Sequence, residues 1–131
     1  MLNLSHKNLE VYKMSLNLIE EVYKATKSFS KEELYVLVSQ IRRAAISVCS
    51  NIAEGASRIS KKEKKRFYEI SRSSLVEMDT QFEIAIILNY YKNGQMKEME
   101  QYLKSTFRMH SKMICNLSQH PTATSQTPLA K

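Results

Sequence analysis

Apolar residues recur every three or four positions in four stretches of the chain, which is the period of an amphipathic helix. The first stretch predicts a helix from about Asn8 to Lys27. Its expected inward residues are Leu9, Tyr12, Leu16, Ile19 and Tyr23. The second stretch predicts a helix over about 31–57, and Ser30 and Glu33 stand at capping-box spacing at its start. Its expected inward residues are Leu34, Val38, Ile41, Ala45, Val48 and Ile52.

A third helix is predicted over about 61–91, with Ser60 and Glu63 as its capping box. Its expected inward residues are Phe67, Ser71, Leu75, Met78, Phe82 and Ala85. Asn93 and Gly94 tolerate positive φ and predict a break. A fourth helix follows over about 95–117, carrying Met96, Met99, Leu103, Phe107, Met113 and Ile114.

The two prolines, Pro121 and Pro128, both follow the last predicted helix, so no proline interrupts any of the four predicted helices. Residues 118–131 contain mainly Ser, Thr, Gln and Pro, which predicts a disordered tail. Short loops between four amphipathic helices favour an up-down-up-down arrangement. We therefore expect an all-α fold, an antiparallel four-helix bundle over residues 1–117.

The second predicted helix also carries a polar stripe at helical spacing: Gln40, Arg43, Ser47, Asn51, Glu54 and Arg58. One interpretation is an ordinary solvated face. The other is a helix–helix or subunit contact, because short Ser and Asn side chains inside a helix suit close packing. We favour the contact. If the chain folds back around Ile59, Glu77 would pair with Arg42 or Arg43, and Glu54 with the start of the third helix.

The chain is basic, with 20 Lys and Arg against 13 Asp and Glu, a net charge of +7. Six cations fall between positions 58 and 66 with one acid, Glu63. They are Arg58, Lys61, Lys62, Lys64, Lys65 and Arg66, called the basic cluster below. A solvated helix start is the simple interpretation, but cations there oppose the helix dipole, which favours anions.

An external anion would compensate for this arrangement, and a phosphate backbone qualifies. Arg42, Arg43 and Arg72 extend the positive charge along the two helices. We therefore predict that these three residues and the basic cluster contact RNA or DNA in a salt-sensitive way. The competing hypothesis is a structural or protein-interaction assembly in which the cations are merely solvated.

Other chemistry finds little support in the sequence. Nucleotide-binding, hydrolase and metalloprotease motifs are absent. His6, His110 and His120 are scattered, and we expect them at the surface or in the tail. The widely spaced Cys49 and Cys115 fit small buried residues in a reducing compartment better than a disulfide or metal site. We expect no catalytic residue, cofactor or metal.

No signal peptide is evident at the start of the sequence. The longest aliphatic run, residues 84–88, is too short to span a bilayer. These features predict a cytoplasmic protein with no membrane partner.

Two long runs resemble one known family. These are "NLEVYKMSLNLIEEVYKATKSFSKEE" and "SQIRRAAISVCSNIAEGASRISKKEKKRFYEISRSSLVEMDTQFEIA". They are similar to the four-helix-bundle proteins called 23S rRNA-intervening-sequence proteins. The shared pattern comprises residues 39–44 and 50–55, then Arg72, Leu75, Glu77 and Gln81. Cys49 stands where the family usually has proline, so the second helix is expected to be straighter here or to keep its kink by other means.

The resemblance implies an antiparallel four-helix bundle that assembles into a ring, typically a homopentamer. Relatives serve as accessory proteins of diversity-generating retroelements, where a basic barrel binds nucleic acid and a reverse transcriptase; both are thus implied as possible partners. Small all-α RNases of the HEPN type have an Arg, then four to six residues, then a His, and no arginine stands at that distance before any histidine here. We expect the bundle or subunit contacts at Gln40, Ser47, Asn51, Glu54, Gly55, Glu77 and Gln81.

Overall fold

A computed structural model describes residues 1–118, and all regular structure in that range is helical. Four α-helices form the frame: α1 (Glu10–Thr26), α2 (Ser39–Ser57), α3 (Lys61–Ile87) and α4 (Lys97–Ser118). Short 3-10 helices cover Ser5–Asn8 and Lys31–Glu33, and a π-helical turn covers Leu34–Val38. The prediction of an all-helical fold with four long helices is confirmed. The predicted tail lies outside the described residues, except for Ser118.

One hydrophobic core joins the four helices. From α2 and α3 it receives nearly all the residues predicted to face inward, including Ile41, Val48, Ile52, Leu75 and Met78. The four α-helices therefore pack as a four-helix bundle does, with α2 and α3 in the most extensive contact.

Phe67 departs from the predicted face of α3, because the buried ring is that of its neighbour Tyr68. The Tyr68 ring packs against the backbone of Gly55 on α2. A Cβ atom built on Gly55 would lie only 2.6 Å from Tyr68 Cε1. Glycine at this position lets the two helices approach closely just before the chain turns.

The predicted buried face of α1 is wrong, because the residues that are buried lie about one position away from those that were expected to face inward. The buried residues are Val11, Ser15, Leu18, Val22, Ala25 and Thr26, whereas Leu9 and Leu16 are exposed. Two apolar stripes run side by side on this helix, and the one containing small residues faces the core. Ser15 is tolerated there because its hydroxyl donates to the Val11 carbonyl at 2.7 Å.

The start of the second helix also differs from the prediction. The Ser30 hydroxyl accepts from the backbone N–H of Glu32, while the Glu33 N–H bonds to the Ser30 carbonyl. The tight 3-10 turn and the wide π turn that follow change the phase of the chain before α2 begins. Leu34 consequently points outward and is 42% exposed.

The connection from α3 to α4 begins earlier than predicted, since α3 ends at Ile87 and α4 starts at Lys97. Asn89 (φ 64°) and Gly94 (φ 81°) take left-handed conformations. Between them Tyr91 returns to the core, and its hydroxyl donates to Glu100 Oε2 at 2.7 Å. The Gly94 N–H reaches the same oxygen at 2.9 Å, so Glu100 holds the connection against α4.

Candidate nucleic-acid interface

The basic cluster lies at the corner between α2 and α3. Arg58 ends α2 in an extended conformation, and Ile59 follows with 98% of its surface exposed. The Ser60 hydroxyl accepts from the Glu63 N–H at 3.1 Å, which fixes where α3 begins. The Ser60 half of the predicted capping box is thus confirmed, and it places Lys61 to Arg66 in the first two turns of α3.

Four members of the cluster, Arg58, Lys61, Lys62 and Arg66, are exposed. Lys64 and Lys65 are partly buried, and Lys64 Nζ donates to the Ala56 carbonyl at 3.0 Å. Of the six cations only Arg58 forms an ion pair among the described residues, with Glu54 at 3.0 Å. The other five cations of the cluster therefore have no carboxylate partner among the described residues, and their positive charge is left uncompensated.

The Arg58–Glu54 pair corrects an expectation, because Glu54 was predicted to pair with the start of the third helix. Its partner lies one turn further along the same chain segment instead. Arg58 also lies over the ring of Phe67, 4.7 Å from the centroid, with Arg66 on the same ring at 5.4 Å. Phe67 thus brings the two arginines together at the corner.

The Arg42 side chain packs against α1 instead of extending into solvent. Its Nε donates to Thr26 Oγ1 at 2.9 Å, and its guanidinium lies 4.3 Å from the ring centroid of Tyr23. Both partners belong to α1, so Arg42 joins α2 to α1. This environment leaves its guanidinium less available to a phosphate than those of the basic cluster.

Arg72 has a similar environment between α3 and α4. Its Nε donates to Ser111 Oγ at 2.8 Å, and its guanidinium lies 4.3 Å from the Phe107 centroid. Arg43 is exposed and donates to Gln40 Oε1. Of the three arginines that we predicted to extend the cluster (Arg42, Arg43 and Arg72), Arg43 is therefore the one displayed at the surface.

The predicted pairing of Glu77 with Arg42 or Arg43 is wrong. Glu77 is exposed and instead accepts a hydrogen bond from Gln81 Nε2 at 3.4 Å, one turn along α3. Gln81 is buried, and its Oε1 has no hydrogen-bond partner among the described residues. The carboxylate and the amide thus form a pair on one helix rather than a bridge to α2.

The polar stripe of α2 divides into two parts. Ser47 accepts from the Ser74 hydroxyl at 2.9 Å, and Asn51 Nδ2 donates to the Ser47 carbonyl at 2.9 Å. Ser47, like Gly55, lies at the contact between α2 and α3 within one chain, and Asn51 bonds to Ser47 on its own helix. Gln40, Arg43 and Glu54 remain exposed. A contact of this outer part with a second subunit stays a prediction.

His110 is fully buried, contrary to the expectation of a surface position. Its Nδ1 lies 2.7 Å from the Thr106 carbonyl, which can only accept, so Nδ1 carries a proton. Its Nε2 lies 2.6 Å from Ser71 Oγ, which also lies 2.8 Å from the Val48 carbonyl. Burial lowers the pKa of His110, and neighbouring Arg72 acts in the same direction. A neutral ring fits this environment, and the single Ser71 proton then goes either to Nε2 or to the Val48 carbonyl, not to both.

Sequence reasoning missed this histidine although a signal was present. Positions 99, 103, 106, 110 and 113 repeat the 4-3-4-3 spacing of a buried helix face. His6 is also buried, with its ring edge-on to Tyr12 at 4.7 Å between centroids. His120 lies outside the described residues. Because Ser71 and His110 are both fully buried, their hydrogen bond offers no route for a substrate.

The two cysteines differ in environment. Cys49 is buried as expected, and burial raises the pKa of its thiol to about 12. Cys115 is exposed, so the expectation that it is buried was wrong. Helix α2 runs unbroken through Cys49, at the position where a proline was expected from the resemblance.

Within residues 1–118, no three side chains of the ligand types His, Cys, Asp and Glu come together in a way that would hold a metal ion. None of the helices in that range has the length and apolar character needed to cross a membrane.

Comparison with known proteins adds one finding. The family model described as "23S rRNA-intervening sequence protein" matches residues 7–112, which includes all of α1, α2 and α3 and most of α4. No curated protein shows significant sequence similarity to the chain.

Proposed function

Because the chain belongs to the family of 23S rRNA-intervening sequence proteins, we propose that it is a non-enzymatic accessory protein that binds RNA or DNA through the basic cluster. One observation carries this proposal. Six cations lie at one corner, and only Arg58 has a carboxylate partner among the described residues. A phosphate backbone would supply the missing negative charge, and release of its counterions would contribute to the binding free energy.

The proposed assembly is a ring of antiparallel four-helix bundles, typically a homopentamer. Contacts between α2 and α3 support opposite chain directions, because Val48 meets Ser71 whereas Ala56 meets Lys64. On the outer side of α2, Arg43, Ile46, Ser50 and Glu54 are exposed and available to a neighbouring subunit. A ring would display the basic cluster several times, and repeated sites strengthen binding to one long nucleic acid.

We further propose a reverse transcriptase as a protein partner, on the basis of the resemblance to retroelement accessory proteins. The proposal places the protein in the cytoplasm and involves no cofactor, metal or membrane.

Binding measured as a function of salt tests the nucleic-acid proposal. Fluorescence anisotropy with a labelled RNA hairpin and a DNA duplex should show affinity falling steeply as salt rises. Replacing Lys61, Lys62, Lys65 and Arg66 by Glu should abolish binding and flatten that dependence. The new acids at positions 61 and 62 would lie in the first turn of α3, where negative charge is favourable. Circular dichroism should show that the variant retains its helix content.

A matched control replaces four exposed lysines elsewhere, Lys13, Lys27, Lys92 and Lys97, by Glu. This control has the same net charge and should retain more affinity than the cluster variant. Equal losses in both would mean that only total charge matters. Absence of binding to either probe at low salt would overturn the proposal and favour a structural or protein-interaction role.

A further inference from the structure

A cleft of about 470 Å³ runs between α3 and α4. Its floor is apolar and consists of the core side chains Leu75, Phe82 and Met99, with Leu103 and Ile86 on its walls. Along α3 the lining extends from Leu75 to Ile86, which at a rise of 1.5 Å per residue is about 16 Å. The cleft is therefore an elongated groove about three helical turns long.

The rim of this groove is acidic. Asp79 and Glu83 are exposed one turn apart on α3, and Glu100 lies on the α4 side. The one cation of the described lining is Lys104, so three acids and one lysine give the rim a charge of 1 − 3 = −2. The whole chain carries +7. The groove is thus a negative region on a positive protein.

The two carboxylates on α3 are available to an outside partner. Neither Asp79 nor Glu83 forms an ion pair within residues 1–118. Glu100, in contrast, is occupied by the Tyr91 hydroxyl and the Gly94 N–H. These two bonds fix the α4 side of the rim, so the groove is largely preformed.

We propose that this groove binds a basic amphipathic helix of a partner polypeptide. Its apolar residues, spaced i, i+3, i+4 and i+7, would lie over the floor, and its lysines or arginines would meet Asp79 and Glu83. The length of the groove suits a helix of several turns, and its negative rim selects against acidic segments and nucleic acid. The site is separate from the basic cluster, so this inference does not depend on nucleic-acid binding.

The test uses a synthetic labelled peptide of about 18 residues, with Leu at the i, i+3, i+4 and i+7 positions and Lys elsewhere. Two controls are a peptide of the same composition in scrambled order and one with Glu in place of Lys. Anisotropy with the full chain should show binding of the first peptide and at least about tenfold weaker binding of both controls. No binding of the first peptide, or equal binding of all three, would overturn the proposal.

Charge reversal locates the site. Asp79→Lys with Glu83→Lys should weaken binding on the order of tenfold, because two attractions become repulsions. The control Glu20→Lys with Glu32→Lys makes the same charge change at exposed positions outside the groove lining, and should bind more tightly than the groove variant. Equal weakening of both variants would contradict a site in the groove.

A contact measurement completes the test. A nitroxide on the peptide should broaden the methyl signal of Met99, which lines the groove, more than that of Met14 on α1. Broadening of Met14 alone would place the peptide elsewhere and overturn the assignment. The Asp79→Lys, Glu83→Lys variant could also change the mass measured by light scattering while leaving peptide binding unchanged. That result would show that a second copy of the chain covers the groove, and the proposal would be wrong.

Discussion

Ser71 Oγ and His110 Nε2 lie 2.6 Å apart, joining α3 to α4 in the buried centre of the bundle. Ser71 Oγ also lies 2.8 Å from the Val48 carbonyl of α2, so this hydroxyl, with one proton for two acceptors, lies where three helices meet. Polar groups with partners cost little in a core, but the same groups without partners are expensive. The pair therefore favours the register in which these three helices meet.

Replacing Ser71 by Ala should lower the free energy of unfolding by about 1–3 kcal/mol, because His110 Nε2 would lose its partner without access to water. Ser73→Ala, an exposed change on the same helix, is the matched control and should stay within about 0.5 kcal/mol of the parent. Urea denaturation followed by circular dichroism measures both. Equal values for the two variants would show that the buried hydrogen bond contributes little.

Because His110 is buried, we expect the protein to lose stability in mild acid. Burial lowers its pKa in the folded protein, so on acidification the unfolded chain takes up the proton first. Stability that depends on a neutral His110 is fully present above an ordinary histidine pKa of about 6.5, and it decreases as the pH falls below that value. Between about pH 7.5 and 5.5 we expect a decrease of up to about 1 kcal/mol.

The groups around His110 support this direction. Arg72 of α3 adds positive charge and lowers the pKa further, and Ser71 and the Val48 carbonyl are neutral. The hydrogen bond to the Thr106 carbonyl acts in the opposite direction, but burial outweighs it. Urea denaturation at the two pH values should show the decrease in the parent and a smaller one in His110→Gln. An identical pH dependence in both proteins would assign the effect to other groups.

Gly55→Ala should destabilise the fold although alanine is the better helix former by about 1 kcal/mol. The new methyl group would lie within 2.6 Å of Tyr68 Cε1, so the ring or the helices must move. We expect a net loss of about 1–3 kcal/mol in denaturation experiments. The loss should shrink when Tyr68 is also replaced by Ala, and additive effects of the two changes would argue against a direct clash.

Arg42 should matter for stability more than for nucleic-acid binding. Lysine has no planar fork to donate to Thr26 while lying over the Tyr23 ring. Arg42→Lys should therefore cost about 1 kcal/mol, whereas Arg43→Lys at the surface should cost less than about 0.5 kcal/mol. The salt dependence of nucleic-acid binding should be the same in Arg42→Gln, which removes the charge, and in the parent. A flatter dependence in Arg42→Gln would instead make this guanidinium a phosphate contact.

The buried faces of α2 and of most of α3 could be predicted from the sequence, because the three- and four-residue spacing of apolar residues indicates one inward face on each helix. Helix α1 carries two adjacent stripes, and only packing decides that Leu18 rather than Leu16 is buried. Leu34 was misplaced because a π turn changes the phase within the predicted helix. The role of Arg42 depends on α1 lying beside it, which is tertiary information. The basic cluster was visible in advance because its members are neighbours in sequence.

The last prediction concerns the proposed contact between subunits. Ile46 is 47% exposed on the outer side of α2, between Arg43 and Ser50. If this side contacts a second subunit, Ile46→Glu would bury an unpaired charge there, which is costly. Light scattering should give a mass several times 15.2 kDa for the parent and a smaller mass for Ile46→Glu.

The matched control is Leu16→Glu, which makes the same change at a similarly exposed position of α1. It should leave the mass unaltered, because the proposed contact does not involve α1. A monomeric parent would remove the subunit contact altogether. Dissociation by Leu16→Glu but not by Ile46→Glu would move the contact to the exposed apolar stripe of α1, and the outer polar residues of α2 would then be an ordinary solvated face.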